Sequence, residues 1–447
     1  MINLFEHFDK AAHTLYHALK LAGHHNKTIV LEDDGFLPEQ ILTPYRYFSQ
    51  YQVQDDHKPL YFNQIQVPRY WEIIGNNTEA TVNDMGKVRA YIRYDRNSKP
   101  RIVSHVEWLD DAGRLQYVDH YTQHGVRFAQ TVYDLTGNKI FRKYLDQQGH
   151  EVIYENFIAQ SIIVNWQGRS HHFNHKVAFI HFFLREAGID MNQFVINSLG
   201  LPFSVLYRLN EPGHDLLFWQ ENSGGHVPGN MSLMLQGEHT RDYHVIVPDQ
   251  REYDILSQQL DIHAQQRLLP SGYLYDYART NQYTANVLTM TNSDQIHHLA
   301  DIVQACPKAT FHIGAVTEMS DVLMAMDQYP NVRLYPAIER YTVDKLYHKC
   351  DIYLDINEGG EIINAAQRAF NHDMLILGYR DNAHNISVTA SENLFDKENR
   401  AAHLIEALKD IQRKKRYFKV RLNYQKSHAH EITDKAFNQV MTHVIRQ

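Results

Sequence analysis

The stretch "INEGGEIINAAQRAFNHDMLILGY", residues 356–379, follows a strand-like run and reads as turn, helix and strand. Two glutamates eight positions apart on such a loop can grip the hydroxyls of a sugar and a ribose. A nearby Arg and Lys, with a helix N-terminus, can neutralise the diphosphate that leaves. Glu358 could serve as one such glutamate, and eight positions on stands Ala366, which offers no carboxylate. The cations are missing as well. "NQYTANVLTMTNSDQIHHLADIVQACP", residues 281–307, holds the strand and turn that should supply them and contains no Arg or Lys. Asp294, in that turn, repels phosphate. Two independent parts of a diphosphate-sugar site are absent, and site chemistry rather than fold decides function.

The elements that must position these residues read as follows. The last third alternates strands near 287–290, 310–314, 332–335, 352–356 and 374–377 with helices, which predicts a doubly wound parallel sheet. At the N-terminus, Phe5, Phe8, Ala12, Leu15 and Leu19 recur at helical spacing and predict a helix, followed by a buried strand at 28–31. From residue 53 the texture changes to period-two stretches. Gly113, Gly125, Gly137 and Gly149 punctuate them every twelve residues, the signature of a β-meander. Helical and buried-strand texture then returns in "HKVAFIHFFLREAGI", "QFVINS", "DLLFWQE" and "YHVIVPD". The predicted class is α/β and GT-B-like: two Rossmann-like domains facing a cleft, with the meander inserted in the first. The expected boundaries are 1–52 and 171–270 for the first domain, 53–170 for the meander and 271–447 for the second domain. The cleft is the default ligand site.

Composition narrows the function. The chain has 447 residues, 43% of them hydrophobic and 21% charged, as in a soluble globular protein with large cores. A net charge of -8 argues against nucleic acid as a partner. Cys306 and Cys350 lie in apolar segments and read as reduced core thiols. The N-terminus has no secretory pattern, and the longest apolar run, "VAFIHFFL", is too short to span a bilayer. A cytoplasmic protein is expected. His171 and His175 have a metal-ligand spacing, but no further ligands converge with them in sequence, so neither metal nor cofactor is expected.

"MINLFEHFDKAAHTLYHALKLAGHHNKTIVLEDDGFLPE", "LLFWQENSGGHVPGNM" and "EGGEIINAA" resemble the GtfB-type stabilising subunits of the accessory-Sec O-linked N-acetylglucosamine transferase, over nearly the full length. The resemblance implies a non-catalytic chain with a degenerate glycosyltransferase fold. It implies pairing with a catalytic GT-B partner as a two-plus-two heterotetramer, peripheral at the inner face of the membrane. The pair would move N-acetylglucosamine from UDP-GlcNAc to Ser/Thr of serine-rich repeat adhesins, this subunit stabilising its partner and helping to hold the acceptor. The alternative is an active GT-B transferase with an atypical donor site; the absent phosphate cations discriminate against it.

A serine-rich acceptor is disordered and offers backbone groups and hydroxyls. A receptor for it needs amides, carboxylates and aromatic walls. Trp219, Gln220, Glu221, Asn222 and Asn230 supply them, with Glu358 from the second domain. The blander reading makes Trp219 a core residue. For the partner, the meander offers Trp108, Tyr117, Tyr121, Tyr133 and Tyr144, unless these rings pack on its inner face. "RKKRYFKVR" brings together Arg413, Lys414, Lys415, Arg416, Lys419 and Arg421. It reads as a solvated helix face or a contact for anionic lipid, on a helix with no obvious bulky apolar face.

Overall fold

The computed structural model describes residues 1–76, 78–95 and 101–445. The chain forms two units, the first built from most of residues 1–270 and the second from most of residues 271–441.

In the first unit β1 (Ile2–Phe5), β2 (Lys27–Val30), β13 (Phe194–Ile196), β14 (Gly213–Phe218), β15 (Arg241–Val247) and β16 (Leu268–Pro270) make a parallel sheet. The strand order is β16-β15-β14-β13-β1-β2. β1 corrects the expected N-terminal helix. All four residues of "INLF" are buried in mid-sheet, and the helix runs over Lys10–Leu21, its Ala12 N–H capped by Asp9 Oδ1 at 2.9 Å. The Phe5–Phe8 spacing is a coincidence of period, since a short continuous apolar run suits a buried parallel strand equally well.

The ten strands between β2 and β13, from β3 (Glu72–Gly75) to β12 (Arg169–Phe173), form one antiparallel sheet in which neighbours in sequence are neighbours in space. Its twelve-residue repeat is a seven-residue strand plus a turn closed by glycine. At the Asp134 turn, Oδ1 accepts Thr136 N–H at 2.8 Å and Asn138 N–H at 2.9 Å, while Gly137 takes φ +86°. That left-handed conformation is what glycine supplies. One face of this sheet is welded to the first unit's core. Ala129, Tyr144, Ile153, Ile162 and Val164 share a buried cluster with Phe48, Phe179 and Phe183. Tyr144 stacks on Tyr45 at 3.9 Å, and the Lys176 ammonium joins Glu32 to Glu155, 3.1 Å from the latter. Segment 53–71 lies outside the strands and packs Leu60, Phe62, Ile65 and Val67 against Val82, Ile92 and Val106.

The second unit carries a parallel sheet in the order β19-β18-β17-β20-β21-β22. Its strands are β17 (Asn286–Thr291), β18 (Thr310–Ala315), β19 (Val332–Tyr335), β20 (Ile352–Asp355), β21 (Leu375–Tyr379) and β22 (Leu394–Phe395). Strand order reverses between β1 and β13 in the first unit and between β17 and β20 in the second. The crevice outside the carboxyl ends of strands at such a reversal is where open α/β sheets take ligands. The opposite end of the first unit's sheet is locked. Arg241, 0% exposed, meets Asp215 through Nε at 2.5 Å and Nη2 at 2.7 Å, and donates to Met191, Glu211 and Pro212 carbonyls. A methyl on Gly213 would lie 2.2 Å from Arg241 Nη2, so only glycine admits that side chain.

Candidate functional site

In the second unit the chain fills its own crevice. The turn after β17 folds onto the loop after β20. Thr291 Oγ1 lies 2.7 Å from Asn357 Oδ1, Glu358 N–H donates to Gln295 C=O at 3.0 Å, and Asn292 Oδ1 sits against Gly359, 2.2 Å from where a methyl there would be. The helix that follows, Ala365–Asn371, begins with Ala366 N–H donating to Glu361 Oε1 at 3.2 Å. A carboxylate of the chain therefore occupies the helix end where a phosphate would rest. Ala366 is buried among apolar neighbours, so its position cannot present a second glutamate to a ligand. Glu358 faces His297 at short range and Lys397 Nζ at 3.0 Å. Lys397, then His297, holds its carboxyl below the usual range. Lys397 is the cation that the sequence reading missed, and it is paired.

A polar opening of about 350 Å³ remains, lined by Gln295, Asn357, Glu358, Asp381, Asn382 and His384. His384 is the strut beneath it. Nδ1 meets the buried Asp355 Oδ1 at 2.5 Å, and Nε2 lies 2.7 Å from Gly359 C=O. Both partners accept hydrogen bonds, so the ring carries both protons. The Asp355 bond raises its pKa to about 9.

In the first unit the crevice between β1 and β13 is closed in a parallel manner. Glu6, just past β1, accepts Leu201 N–H at 3.1 Å at the start of helix Leu201–Tyr207. Glu221 Oε2 accepts Leu199 N–H at 3.3 Å, and Asn230 Nδ2 donates to Leu199 C=O at 3.3 Å. Gln220 Nε2 donates to Ala11 C=O and its Oε1 accepts from Asn197 Nδ2. Asn222 Oδ1 accepts Gly224 N–H at 2.7 Å. Glu221, Asn222 and Asn230 are exposed, and Glu221 and Asn230 meet at Leu199. Trp219 does not form an aromatic wall. It is 5% exposed, and its indole N–H donates to Glu252 Oε1 at 3.1 Å. Glu6 was missed because it lies far away in sequence. Glu358 belongs to the second unit's crevice.

On the meander, cross-strand register sorts the five rings. Trp108, Tyr117, Val132 and Phe141 are successive partners across four strands, and Lys143, Tyr154 and Ile163 form the adjacent row of the same, outer face. Their rings are half-buried, with Trp108–Tyr117 centroids at 6.0 Å and Phe141–Tyr154 at 5.2 Å. Trp108 and Tyr121 both pack on the Val82–Val106 cluster, and Tyr133 is half-buried at a strand end. Tyr144, at 1% exposure, belongs to the core and not to any partner surface. On helix Lys415–His428, Phe418 and Leu422 face inward while Tyr417, Val420 and Tyr424 form an exposed stripe, which corrects the expectation of no apolar face. Arg413, Lys414, Lys415, Arg416 and Lys419 are exposed around it; Arg421 instead donates to Glu392 C=O at 2.8 Å. No helix among the described residues is long and apolar enough to cross a membrane.

Two Rossmann-like units, each with a glutamate of its own on the helix amide at the strand-order reversal, define a GT-B-type protein. The pneumococcal O-GlcNAc transferase GtfA, solved with UDP and GlcNAc, shares the fold at TM-score 0.50 and 13% identity, over 100% of this chain and 98% of that one. A chain of the crystal structure of a GtfA/B complex bound to UDP and GlcNAc matches far more closely, at TM-score 0.90 and 35% identity over 99% of both chains. Family models described as the GtfB N-terminal, middle and third domains match residues 2–48, 71–174 and 176–259, and a GftB/GlyA-F C-terminal domain matches 287–425. The UDP-N-acetylglucosamine–peptide N-acetylglucosaminyltransferase stabilizing protein GtfB of Streptococcus agalactiae is 38% identical over 411 residues, 92% of each chain. The chain belongs to the GtfB family.

The His384 strut has a pH signature. Its folded-state pKa lies above the ordinary 6.5, so its stabilisation is complete below about 6.5 and is lost as pH rises through about 9. Denaturation of the second unit should show stability falling across that window, and His384→Phe should abolish the slope. A slope that survives the substitution would assign it elsewhere.

Proposed function

We propose that this chain is the non-catalytic subunit that stabilises a GtfA-type transferase and holds its acceptor. In this reading the partner moves N-acetylglucosamine from UDP-GlcNAc to the Ser/Thr-rich repeats of an adhesin, in a complex with two copies of each subunit. The observation that carries the reading is Glu361 on the Ala366 amide, beside a turn with no Arg or Lys. An active transferase would have to expel that tethered carboxylate and stabilise a pyrophosphate leaving group with no Arg or Lys in residues 281–307. The family's name as stabilising proteins supports the same division of labour.

The acceptor is assigned to the first unit's crevice, where Glu221, Asn222 and Asn230 present exposed carboxylate and amide groups. Glu221→Ala with Asn222→Ala should weaken binding of a serine-rich peptide about tenfold while partner assembly is retained. Equal affinity in a titration followed by fluorescence anisotropy removes this site.

The partner is assigned to the meander's outer face, where Tyr117, Phe141 and Tyr154 give the aromatic content of an interface core on a support anchored to the protein's own core. Phe141→Asp with Tyr154→Asp should abolish co-purification with the catalytic subunit while circular dichroism is unchanged. A complex that survives moves the interface elsewhere.

A cytoplasmic protein resting on the inner membrane face is the third part of the reading. Tyr417 and Tyr424 suit the headgroup region, and the lysines and arginines around them suit anionic lipid. Flotation with phosphatidylglycerol vesicles should be salt-sensitive and lost on Lys414→Glu with Lys415→Glu. Equal flotation of the variant would dismiss the contact.

A further inference from the structure

The first unit's crevice contains a hydrogen-bond acceptor with no donor among the described residues. Asn197, at the carboxyl end of β13, is 8% exposed; its Nδ2 donates to Gln220 Oε1 at 3.1 Å, while its Oδ1 is buried and unpartnered. Buried amide oxygens rarely go without a donor, and the exceptions call for a cause. The residues that follow are held in an unusual way. Leu199 offers both its N–H and its C=O to side chains, Glu221 and Asn230, each at 3.3 Å. Leu201 N–H goes to Glu6 at 3.1 Å, and Gly200 N–H to Ser198 Oγ at 2.9 Å. A methyl on Gly200 would lie 2.5 Å from Glu6 Oε2, so the strap lies close against that carboxylate.

What these side chains grip is a short "NSLG" peptide: amide N–H groups, a carbonyl and a neighbouring serine. A serine- or threonine-rich acceptor offers the same groups. We propose that residues 198–200 are an internal stand-in for the acceptor. The incoming backbone displaces this strap from Glu221 and Asn230 and the adjoining Leu201 amide from Glu6, and a serine or threonine hydroxyl then donates to Asn197 Oδ1. This rests on the assignment of acceptor binding to the first unit. It also names the acceptor's chemistry at this point, because Glu6 and Glu221 together favour N–H and O–H donors and repel acidic or phosphorylated segments. Exchange of one set of hydrogen bonds for an equivalent set leaves little net enthalpy, so apparent affinity is governed by the fraction of chains whose strap is open.

The test is hydrogen–deuterium exchange of the full chain with and without an uncharged serine-rich peptide. A ligand ordinarily protects the amides at its site; here the Leu199 and Leu201 amides should exchange faster when the peptide binds. Unchanged or slower exchange there overturns the proposal. Two variants give an independent reading by peptide titration. Gly200→Ala, which pushes the Glu6 carboxylate aside, should bind several-fold more tightly, and Asn197→Leu about tenfold more weakly. If Glu221→Ala with Asn222→Ala weakens binding while Gly200→Ala and Asn197→Leu both match the parent, the strap fails and the acceptor site stands. If the double variant also matches the parent, the acceptor assignment falls and the strap with it.

Discussion

At both points where strand order reverses, a glutamate of the chain itself caps the helix end that an anionic ligand would need. Glu361 holds the Ala366 amide and Glu6 the Leu201 amide. A tethered carboxylate competes at an effective concentration that a free nucleotide sugar cannot match without cations to help it. The turn after β17 contributes Asn292, Ser293 and Asp294 rather than cations, and Lys397, which reaches the site from further along the chain, is paired with Glu358. Much of the local structure follows from that self-occupancy. The Asn292 turn can lie against Gly359, the Asn357 side chain can tie the two loops together, and His384 can brace the Gly359 carbonyl from beneath.

The meander obeys a different constraint, the parity of a strand. One face is buried against the first unit's helices, with Tyr144 on Tyr45 and Lys176 between Glu32 and Glu155. The other therefore carries the remaining half of every strand, and its aromatics are placed on a support that cannot shift without breaking the core. That outer face is held by the same core that holds the first unit's crevice. Glu32 shows the continuity: its N–H donates to Glu6 C=O at 3.0 Å, while its carboxylate joins Lys176.

Local features are legible in the sequence. The twelve-residue glycine spacing announces a turn that needs positive φ, and the missing cations of residues 281–307 and the alanine at 366 are absences in one continuous stretch. Features that depend on distance, or on choosing between two faces, are not legible there. "INLF" satisfies a helix period and a buried strand alike, and its place in mid-sheet is set by β13, almost two hundred residues on. Alternation gives the meander two faces but does not say which is inward, so spacing alone does not tell Tyr144 from Phe141. Helix Lys415–His428 has two apolar stripes, and only packing shows that Phe418 and Leu422 are the buried one. Trp219 turns inward because Glu252 waits for its indole N–H. Glu6, Lys397 and His384 reach their sites from distant parts of the chain, which no spacing rule detects.

The central claim concerns anions, and calorimetric titration of the isolated chain with UDP-GlcNAc tests it most directly. Self-capped helix ends and a paired lysine predict no binding heat even with the nucleotide sugar at millimolar concentration. Saturable binding in the micromolar range would mean that the crevice accepts a diphosphate after all, and would contradict the account.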